Sequence, residues 1–334
     1  MKVAVTGLGF MGLTHISALL KLEGVEIAAV CDFHEERLDL SSLKVEGNLQ
    51  TVDISLENRG IRTYTDYDQM LSDGGFDFVD ICLPTFLHES FSIKAMEAGY
   101  HVFCEKPLSL EPEEGRRMMK KAGETGRILG VGHCLRFWPG WVEIRELIES
   151  GKYGKVTAAH LSRLSAMPAW SDGGWMLDYE KSGGPVLDLH IHDADMVRYL
   201  FGDPLSLRST GTVDSQGRVS FITTVYDFGE GPAVSSTGGF IPSVSFPFDA
   251  AAFFNLERAA IKMGEDIKVY PDGEDPYTLE IAPEDGYYWE LKDFVSCVKE
   301  GRPSRVVSPR EAIESIELCQ AELLSVLEKR EIVF

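Results

Sequence analysis

Residues 2–12, KVAVTGLGFMG, decide the fold of this 334-residue chain. The run begins with short apolar residues typical of a buried strand, and a helical pattern of apolar residues follows it. Gly7, Gly9 and Gly12 give the spacing GxGxxG between that strand and that helix. GxGxxG alone is weak evidence, but a strand before it and a helix after it are the context in which it binds a dinucleotide.

Each residue of this turn has a predicted role. Gly7 allows the tight turn, Gly9 lets the backbone approach a pyrophosphate, and Gly12 lets helix and strand pack closely. Unsatisfied N–H groups at the start of the helix, where Phe10 and Met11 lie, would bind the phosphates. These five residues form the predicted pyrophosphate site.

An acidic residue follows the second predicted strand, residues 25–31. This residue, Asp32, lies twenty positions after Gly12. A carboxylate there accepts hydrogen bonds from the adenosine ribose and repels a 2′-phosphate. The sequence therefore favours NAD over NADP, although His34 and Arg37 are near enough to weaken that preference. The structural alternative is a tight strand–helix turn without a ligand.

The order of predicted elements divides the chain into two α/β domains, residues 1–130 and 131–334. In the first, strands and helices alternate, which predicts a Rossmann-type, doubly wound parallel sheet. In the second, strand-like segments joined by short Gly, Asp and Pro turns predict an antiparallel sheet. Helices are predicted at about 134–150, 185–201, 286–300 and 309–329.

Composition excludes several classes of partner. The formal net charge is −21, and a nucleic-acid partner would need a basic surface to neutralise its phosphates. Six cysteines without a CxxC pair indicate buried free thiols in a reducing compartment. No apolar run reaches the roughly 18 residues of a membrane span, and the N-terminus lacks a secretory cleavage pattern. We therefore expect a cytoplasmic protein without a membrane partner.

Residues 80–110, DICLPTFLHESFSIKAMEAGYHVFCEKPLSL, contain the sequence EKP at 105–107. The pieces PTxxH and AGxHV precede it. Lys106 would end a Rossmann strand on the cofactor side, where its ammonium can bind the nicotinamide ribose and the reacting oxygen. The structural alternative is a surface lysine after a strand.

Residues 182–202, SGGPVLDLHIHDADMVRYLFG, carry acidic residues and histidines at helical spacing. On a regular helix Asp188, His192 and Asp195 share one face, and His190 points elsewhere. An imidazole titrates near working pH and suits a general acid or base. Metal binding by HIHDAD is an alternative that helical geometry disfavours, so no metal is predicted.

Together with the glycine turn, these segments resemble the glucose–fructose oxidoreductase, inositol dehydrogenase and rhizopine-catabolism (Gfo/Idh/MocA) family over nearly the whole chain. The resemblance implies an NAD(P)-dependent dehydrogenase or reductase acting on CH–OH groups of a sugar or polyol. Its catalytic group would be Lys106, Asp188 and His192. It also implies a second domain with a large, open, mostly antiparallel sheet that builds homodimers or homotetramers. Two features depart from the family pattern: residues 41–60 look long, and His190 stands where many members have glycine.

Further candidates lie near these motifs. The remaining cofactor-binding candidates are Pro84, Thr85, His88, Glu105, Lys106 and Arg136. The substrate-binding candidates are Lys106, Asp188, His192 and two aromatic residues on which a sugar ring can stack, Trp170 and Tyr287. The structural alternatives are a helix-capping His88, an ion-paired Arg136 and aromatic residues of the core.

Two other functions are compatible with the motifs. A glycosidase that acts by transient oxidation would recycle a tightly held cofactor. A sensor that binds a dinucleotide without catalysis has no evident need for both Lys106 and His192, so their presence argues against it.

Overall fold

The structure, a computed structural model, describes residues 1–41, 43–46, 51–168 and 171–334. The chain forms two compact units. The first consists mainly of Met1–Cys134 and Gly286–Glu314, and the second of Leu135–Ala169, Met176–Asp285 and Ser315–Phe334. Within the described ranges, no helix is both long and apolar enough to cross a membrane.

The first unit is built around a parallel sheet. The elements up to residue 132 are β1 (Lys2–Thr6), α1 (Phe10–Leu19), β2 (Glu26–Cys31), β3 (Leu43–Glu46), β4 (Thr51–Ile54), β5 (Arg62–Tyr64), α2 (Tyr67–Asp73), β6 (Phe78–Ile81), α3 (His88–Glu97), β7 (His101–Glu105), α4 (Pro112–Thr125) and β8 (Leu129–Gly132). The sheet has the order β5-β2-β1-β6-β7-β8, and every pair is parallel. This confirms the predicted doubly wound sheet. The order reverses beside β1, so the loops after β1 and β6 lie at the switch point where such sheets bind ligands.

The second unit is built around a mixed sheet. The remaining elements are α5 (Trp141–Glu149), β9 (Val156–Ala166), α6 (Tyr179–Ser182), α7 (Ile191–Phe201), β10 (Ser206–Val213), β11 (Val219–Asp227), β12 (Ala233–Ile241), β13 (Asp249–Leu256), β14 (Ala259–Met263), β15 (Ile267–Pro271), β16 (Tyr277–Thr278), α8 (Gly286–Glu300), α9 (Pro309–Glu328) and β17 (Ile332–Val333). The order is β16-β15-β14-β13-β9-β12-β11-β10-β17. Neighbouring strands are antiparallel, apart from β9 and β12. The predicted open, mostly antiparallel sheet is confirmed.

The core of the first unit includes a helix from far along the chain. Val3 and Val5 of β1, Leu13 of α1, and Leu291 and Phe294 of α8 belong to one buried apolar cluster. Burying a side chain of this kind contributes about 1.5–3 kcal/mol. Helix α8 follows β16 of the second unit in sequence but belongs to the first unit. The position of α1 therefore depends on distant chain, since Leu13 and Leu291 are 278 positions apart in sequence.

The long segment 41–60 contains a small hairpin. Strands β3 and β4 pair antiparallel as a separate two-stranded sheet. Leu43 and Leu56 are buried in the same apolar cluster as α1. Residues 42 and 47–50 lie outside the described residues. The segment that looks long against the family pattern therefore contains an antiparallel strand pair that is separate from the main sheet.

Two predicted helices are interrupted. The helix expected at 134–150 is a 3₁₀ turn, Cys134–Phe137, followed by α5. The chain breaks at Gly140, whose φ of 100° favours glycine. The helix expected at 185–201 starts as a π-helical turn, Val186–His190, before α7. The two C-terminal helices lie where they were predicted.

Candidate functional site

The glycine turn has the geometry that its spacing predicted. A β-carbon on Gly12 would lie 1.8 Å from the carbonyl oxygen of Gly7. A β-carbon on Gly7 would lie 2.5 Å from the carbonyl oxygen of Cys82, and the φ of Gly7 is 89°. A β-carbon on Gly9 would meet no heavy atom within 4 Å. Gly7 and Gly12 are thus required for backbone packing, and Gly9 leaves open space beside the backbone for a diphosphate.

Helix α1 starts at Phe10, directly after this open space. Its N-cap residue is Gly9, which has no side chain to accept a hydrogen bond from the first N–H groups. The first turn of this fully described helix contains no acidic residue. The helix dipole and the N-terminal N–H groups therefore favour an anion there, and these residues fit the pyrophosphate of a dinucleotide.

Asp32 is buried at the carboxyl end of β2 and contacts the glycine turn. Its Oδ2 accepts a hydrogen bond from the Leu8 N–H at 2.7 Å, and its Oδ1 accepts one from the His34 N–H at 2.9 Å. Arg37 Nη1 lies 3.7 Å from Oδ2. Each carboxylate oxygen can accept a further hydrogen bond. Asp32 thus stabilises the turn and has acceptor capacity for ribose hydroxyls.

The turns after β6 and β7 are joined by His88. Pro84 is half-buried and Thr85 is buried, both just before α3. The His88 ring is buried, with Nε2 2.8 Å from the Leu83 carbonyl oxygen and Nδ1 2.9 Å from the Pro107 carbonyl oxygen. Burial lowers the pKa of His88. The imidazole therefore connects two backbone turns and is enclosed by them.

Glu105 and Lys106 lie at the carboxyl end of β7. The Glu105 side chain is buried, and its Oε2 accepts a hydrogen bond from the Lys106 backbone N–H at 3.0 Å. Lys106 is half-buried and precedes a cis peptide bond to Pro107. Glu105 therefore contacts the backbone of the candidate catalytic lysine directly.

His15, a residue that the sequence analysis did not select, lies beside Glu105. Its Nε2 is 2.9 Å from Glu105 Oε1, and its Nδ1 is 3.0 Å from Asp80 Oδ2. Burial by itself lowers the pKa of His15, but Asp80 and Cys82 more than offset it and hold the pKa well above its ordinary value. A histidine on the apolar face of α1, three residues after Gly12, was the available signal.

The same cluster contains the residue types that bind metal ions. Among the described residues, the groups of His, Cys, Asp and Glu close enough to hold an ion all include His15. The contacts of His15 with Asp80 and Glu105, 2.9–3.1 Å long, have the length of hydrogen bonds and ion pairs. The arrangement is a buried ionic network around an imidazolium.

The candidate catalytic segment of the second unit is not a regular helix. Asp188 is buried within the π turn, and His192 is partly exposed in the first turn of α7. The π turn interrupts the 3.6-residue repeat between Asp188 and His192, whereas Asp195 follows His192 by three positions within α7. Asp195 Oδ1 and Oδ2 accept hydrogen bonds from Arg136 at 2.7 and 2.8 Å, and Ser315 also donates to Oδ1.

Arg136 is thus engaged in a buried ion pair, as its structural alternative proposed. The guanidinium is almost fully buried and also lies over the Tyr199 ring, 4.5 Å from its centroid. The other aspartate of HIHDAD, Asp193, forms an ion pair with Arg163, in which Oδ2 lies 3.0 Å from the arginine Nε. Both aspartates of HIHDAD therefore have arginine partners.

The His190 side chain packs against Gly238 of β12, which has no side chain to occupy the same space. The ring is fully buried, and its Nε2 lies 3.1 Å from Glu322 Oε2 of α9. A β-carbon on Gly238 of β12 would lie 2.5 Å from His190 Nδ1. Burial alone lowers the pKa of His190, but Glu322 raises it above its ordinary value. The family pattern often has glycine at position 190. The imidazole of His190 fits there in this chain because the facing residue on β12, Gly238, has no side chain.

The aromatic candidates have separate outcomes. Trp170 lies outside the described residues. Tyr287 is in the first turn of α8, in the first unit, with its ring centroid 6.0 Å from that of His15. Burial raises the pKa of Tyr287 well above its ordinary value. The structure therefore places Tyr287 beside the ionic network of the dinucleotide unit.

Comparison with known proteins matches both parts of the chain. Residues 1–133 match the oxidoreductase family with an NAD-binding Rossmann fold, GFO_IDH_MocA, and residues 141–241 match the GFO/IDH/MocA C-terminal domain. Myo-inositol 2-dehydrogenase of Thermotoga maritima is 27% identical over 99% of this chain and 98% of its own length. The scyllo-inositol 2-dehydrogenase (NAD(+)) of Bacillus subtilis is 28% identical over 95% of this chain and 91% of its own.

A solved structure extends the likeness to the fold. The crystal structure of a probable dehydrogenase from Thermotoga maritima has a TM-score of 0.79 and 26% identity, covering 100% of this chain and 98% of that one. Glycine turn, EKP signature, sheet orders and both family matches agree. The chain therefore belongs to the Gfo/Idh/MocA family of oxidoreductases with an NAD-binding Rossmann fold.

Proposed function

We propose that the chain is an NAD-dependent dehydrogenase or reductase that transfers hydride between the nicotinamide and a hydroxyl- or keto-bearing carbon of a sugar or polyol. One observation carries the cofactor assignment: the backbone beside Gly9 is open, at the start of α1 and next to the Asp32 carboxylate. The substrate class is supported by the relatives that are named as inositol dehydrogenases.

The residues that would hold the cofactor lie in the first unit: Gly7, Gly9, Phe10, Met11, Gly12, Asp32, Pro84, Thr85, His88, Glu105 and Lys106. Bound NAD would supply the hydride acceptor. Arg136 is left out of this set, because its guanidinium is bound to Asp195. The helix terminus would bind the diphosphate, and Asp32 would accept hydrogen bonds from the ribose.

Three residues would carry the proton and the charge. In the oxidation direction His192 would take the proton of the substrate hydroxyl, since an imidazole titrates near working pH. Asp188 would orient that imidazole or bind a neighbouring substrate hydroxyl. The Lys106 ammonium would stabilise the alkoxide charge that develops as hydride leaves the carbon.

The first test is a titration with NAD and with NADP, in which quenching of tryptophan fluorescence measures cofactor binding. We expect NAD to bind about tenfold or more tightly than NADP, a difference of roughly 1.4 kcal/mol, because Asp32 repels a 2′-phosphate. Asp32→Ser should reduce or invert this preference, since Arg37 then offers a cation without a competing carboxylate. Failure of the wild type to bind either cofactor, with none already bound, would overturn the proposed function.

The proposal extends to the domains and their assembly. Residues 1–130 would bind the dinucleotide, and residues 131–334 would bind substrate and form a homodimer or homotetramer in the cytoplasm. Val225 of β11 and Phe253 of β13 are 58% and 44% exposed on the second sheet, and a subunit interface would cover such exposed apolar side chains. Light scattering on the purified protein should give a dimer or tetramer mass, and a monomer mass would contradict the assembly.

A further inference from the structure

We propose that His15 is a positioning residue for this reaction: it holds the Glu105 carboxylate and, through it, the backbone of Lys106 at the end of β7. The inference rests on the proposed function, because Lys106 is one of its catalytic groups. His15 has no solvent-exposed surface. It can therefore act only through its neighbours.

Both nitrogens of the His15 ring face a carboxylate. Nδ1 lies 3.0 and 3.1 Å from the two Asp80 oxygens, and Nε2 lies 2.9 Å from Glu105 Oε1. A neutral imidazole carries only one N–H and would direct a lone pair at one of these carboxylates. Carboxylates at both ring nitrogens therefore favour the imidazolium, which neutralises charge that is otherwise costly to bury.

The Glu105 carboxylate has little freedom. Its Oε1 lies 2.9 Å from His15 Nε2 in an ion-pair contact, and its Oε2 accepts a hydrogen bond from the Lys106 N–H. A β-carbon on Gly132 of β8 would lie 2.9 Å from Oε1, so the space for the carboxylate depends on that glycine. The carboxylate is fixed from two directions, and it fixes the peptide that carries Lys106.

The next peptide is held independently. His88 Nδ1 lies 2.9 Å from the Pro107 carbonyl oxygen. The turn that carries Lys106 thus has one contact from α1, through His15 and Glu105, and another from α3. Helix α1 also provides the N-terminus for the diphosphate. We infer that His15 connects the diphosphate-binding helix to the lysine at the reacting end of the site.

Removing the imidazolium would change the charge of the carboxylates. Burial by itself raises the pKa of Glu105, but His15 and Lys106 hold it below its ordinary value. Without His15, Glu105 would take up a proton more readily and lose its position. Misplacement of a catalytic group by about 1 Å can lower the rate by about 10²-fold.

The test is His15→Gln, because an amide cannot bridge two carboxylates from opposite sides. Wild type and variant are compared in kcat, in KM, and in dissociation constants for NADH and for ADP-ribose, which lacks the nicotinamide. We expect kcat to fall about 10²-fold and the ratio of NADH to ADP-ribose affinity to fall, with ADP-ribose affinity within about twofold of wild type. The control is Lys94→Gln, which removes an exposed cation paired with Asp68 in the same unit and should change nothing.

Two outcomes would overturn the inference. One is an unchanged kcat and affinity ratio. The other is an equal loss of affinity for NADH and for ADP-ribose, which would show that His15 only stabilises the glycine turn. If His15→Gln does not fold, the double variant His15→Gln/Asp80→Asn also removes the charge of Asp80, the carboxylate that faced His15 Nδ1, and is expected to show the same losses. A wild type that binds NADH but turns over no sugar or polyol would refute the proposed function, whereas the affinity ratio would still test the inference.

The stability of the protein provides a second measurement. The titratable groups that face the His15 ring from the elements packed against it are Asp80 of β6, Cys82 after it, Glu105 of β7, and Tyr287 and Glu290 of α8. Because the pKa of His15 is raised in the fold, its stabilisation is complete below the unfolded value of about 6.5 and is lost as pH rises through the folded value. As pH rises above about 6.5, wild type should therefore lose more unfolding free energy than His15→Gln. Parallel curves would contradict a charged His15.

Discussion

Replacing His192 with asparagine is expected to lower kcat by about 10²- to 10⁴-fold, the usual contribution of a general acid or base. Asparagine keeps a polar side chain of similar size but cannot accept the hydroxyl proton. His192 is partly exposed in the first turn of α7, and the fold should tolerate the change. Steady-state NADH formation at saturating polyol measures the loss.

Cofactor affinity separates this effect from general damage. The dissociation constant of NAD should stay within about twofold of wild type, because the residues proposed to hold NAD lie in the other unit. The increase of kcat with pH that reports deprotonation of the imidazole should also disappear. Full turnover in His192→Asn would assign the proton transfer to another group.

Replacing Asp195 with alanine is expected to destabilise the fold by about 3–5 kcal/mol, because it leaves the Arg136 guanidinium buried without its carboxylate. Both side chains are 1% exposed, and two hydrogen bonds of 2.7 and 2.8 Å join them. Urea unfolding gives the free energy. The result would show that the last aspartate of the family motif is a structural residue in this chain.

Two further variants make the Asp195 result specific. Glu149→Ala removes one side of an exposed pair with Arg145, four residues apart on α5, and should leave the unfolding free energy within error of wild type, because exposed pairs contribute little. Arg136→Met combined with Asp195→Leu removes both buried charges and should recover much of the loss. A small effect of Asp195→Ala would mean that water or Ser315 compensates the arginine.

Much of the cofactor site was predictable because its determinants are local. Gly7, Gly9 and Gly12 lie within one strand–turn–helix unit, and a glycine is needed there for reasons of backbone sterics alone. Asp32 ends the adjacent strand, so its proximity to the turn follows from parallel pairing of β1 and β2. Hydrophobic period and turn residues likewise predicted both sheets, because these patterns report burial along a single element.

The failures have a different origin. A regular helix was expected over 185–201, but which residues interrupt it depends on packing against β12 and α9, including the contacts of His190 with Gly238 and Glu322. Spacing along the helix then placed Asp195 with Asp188 and His192. That spacing could not show the partner of the Asp195 carboxylate, which is Arg136, 59 positions away in sequence.

By itself, the sequence determined the family, the two sheet types, the glycine turn and the acid beside it, since each depends on short-range sterics or on periodicity. Only the tertiary structure decided which buried charges meet: His15 with Glu105 and Asp80, and Arg136 with Asp195. A buried ion needs a partner of opposite charge, but this requirement does not identify which residue that partner is. The folded path of the chain determines the partner, because it brings together residues that are 59 to 90 positions apart in sequence.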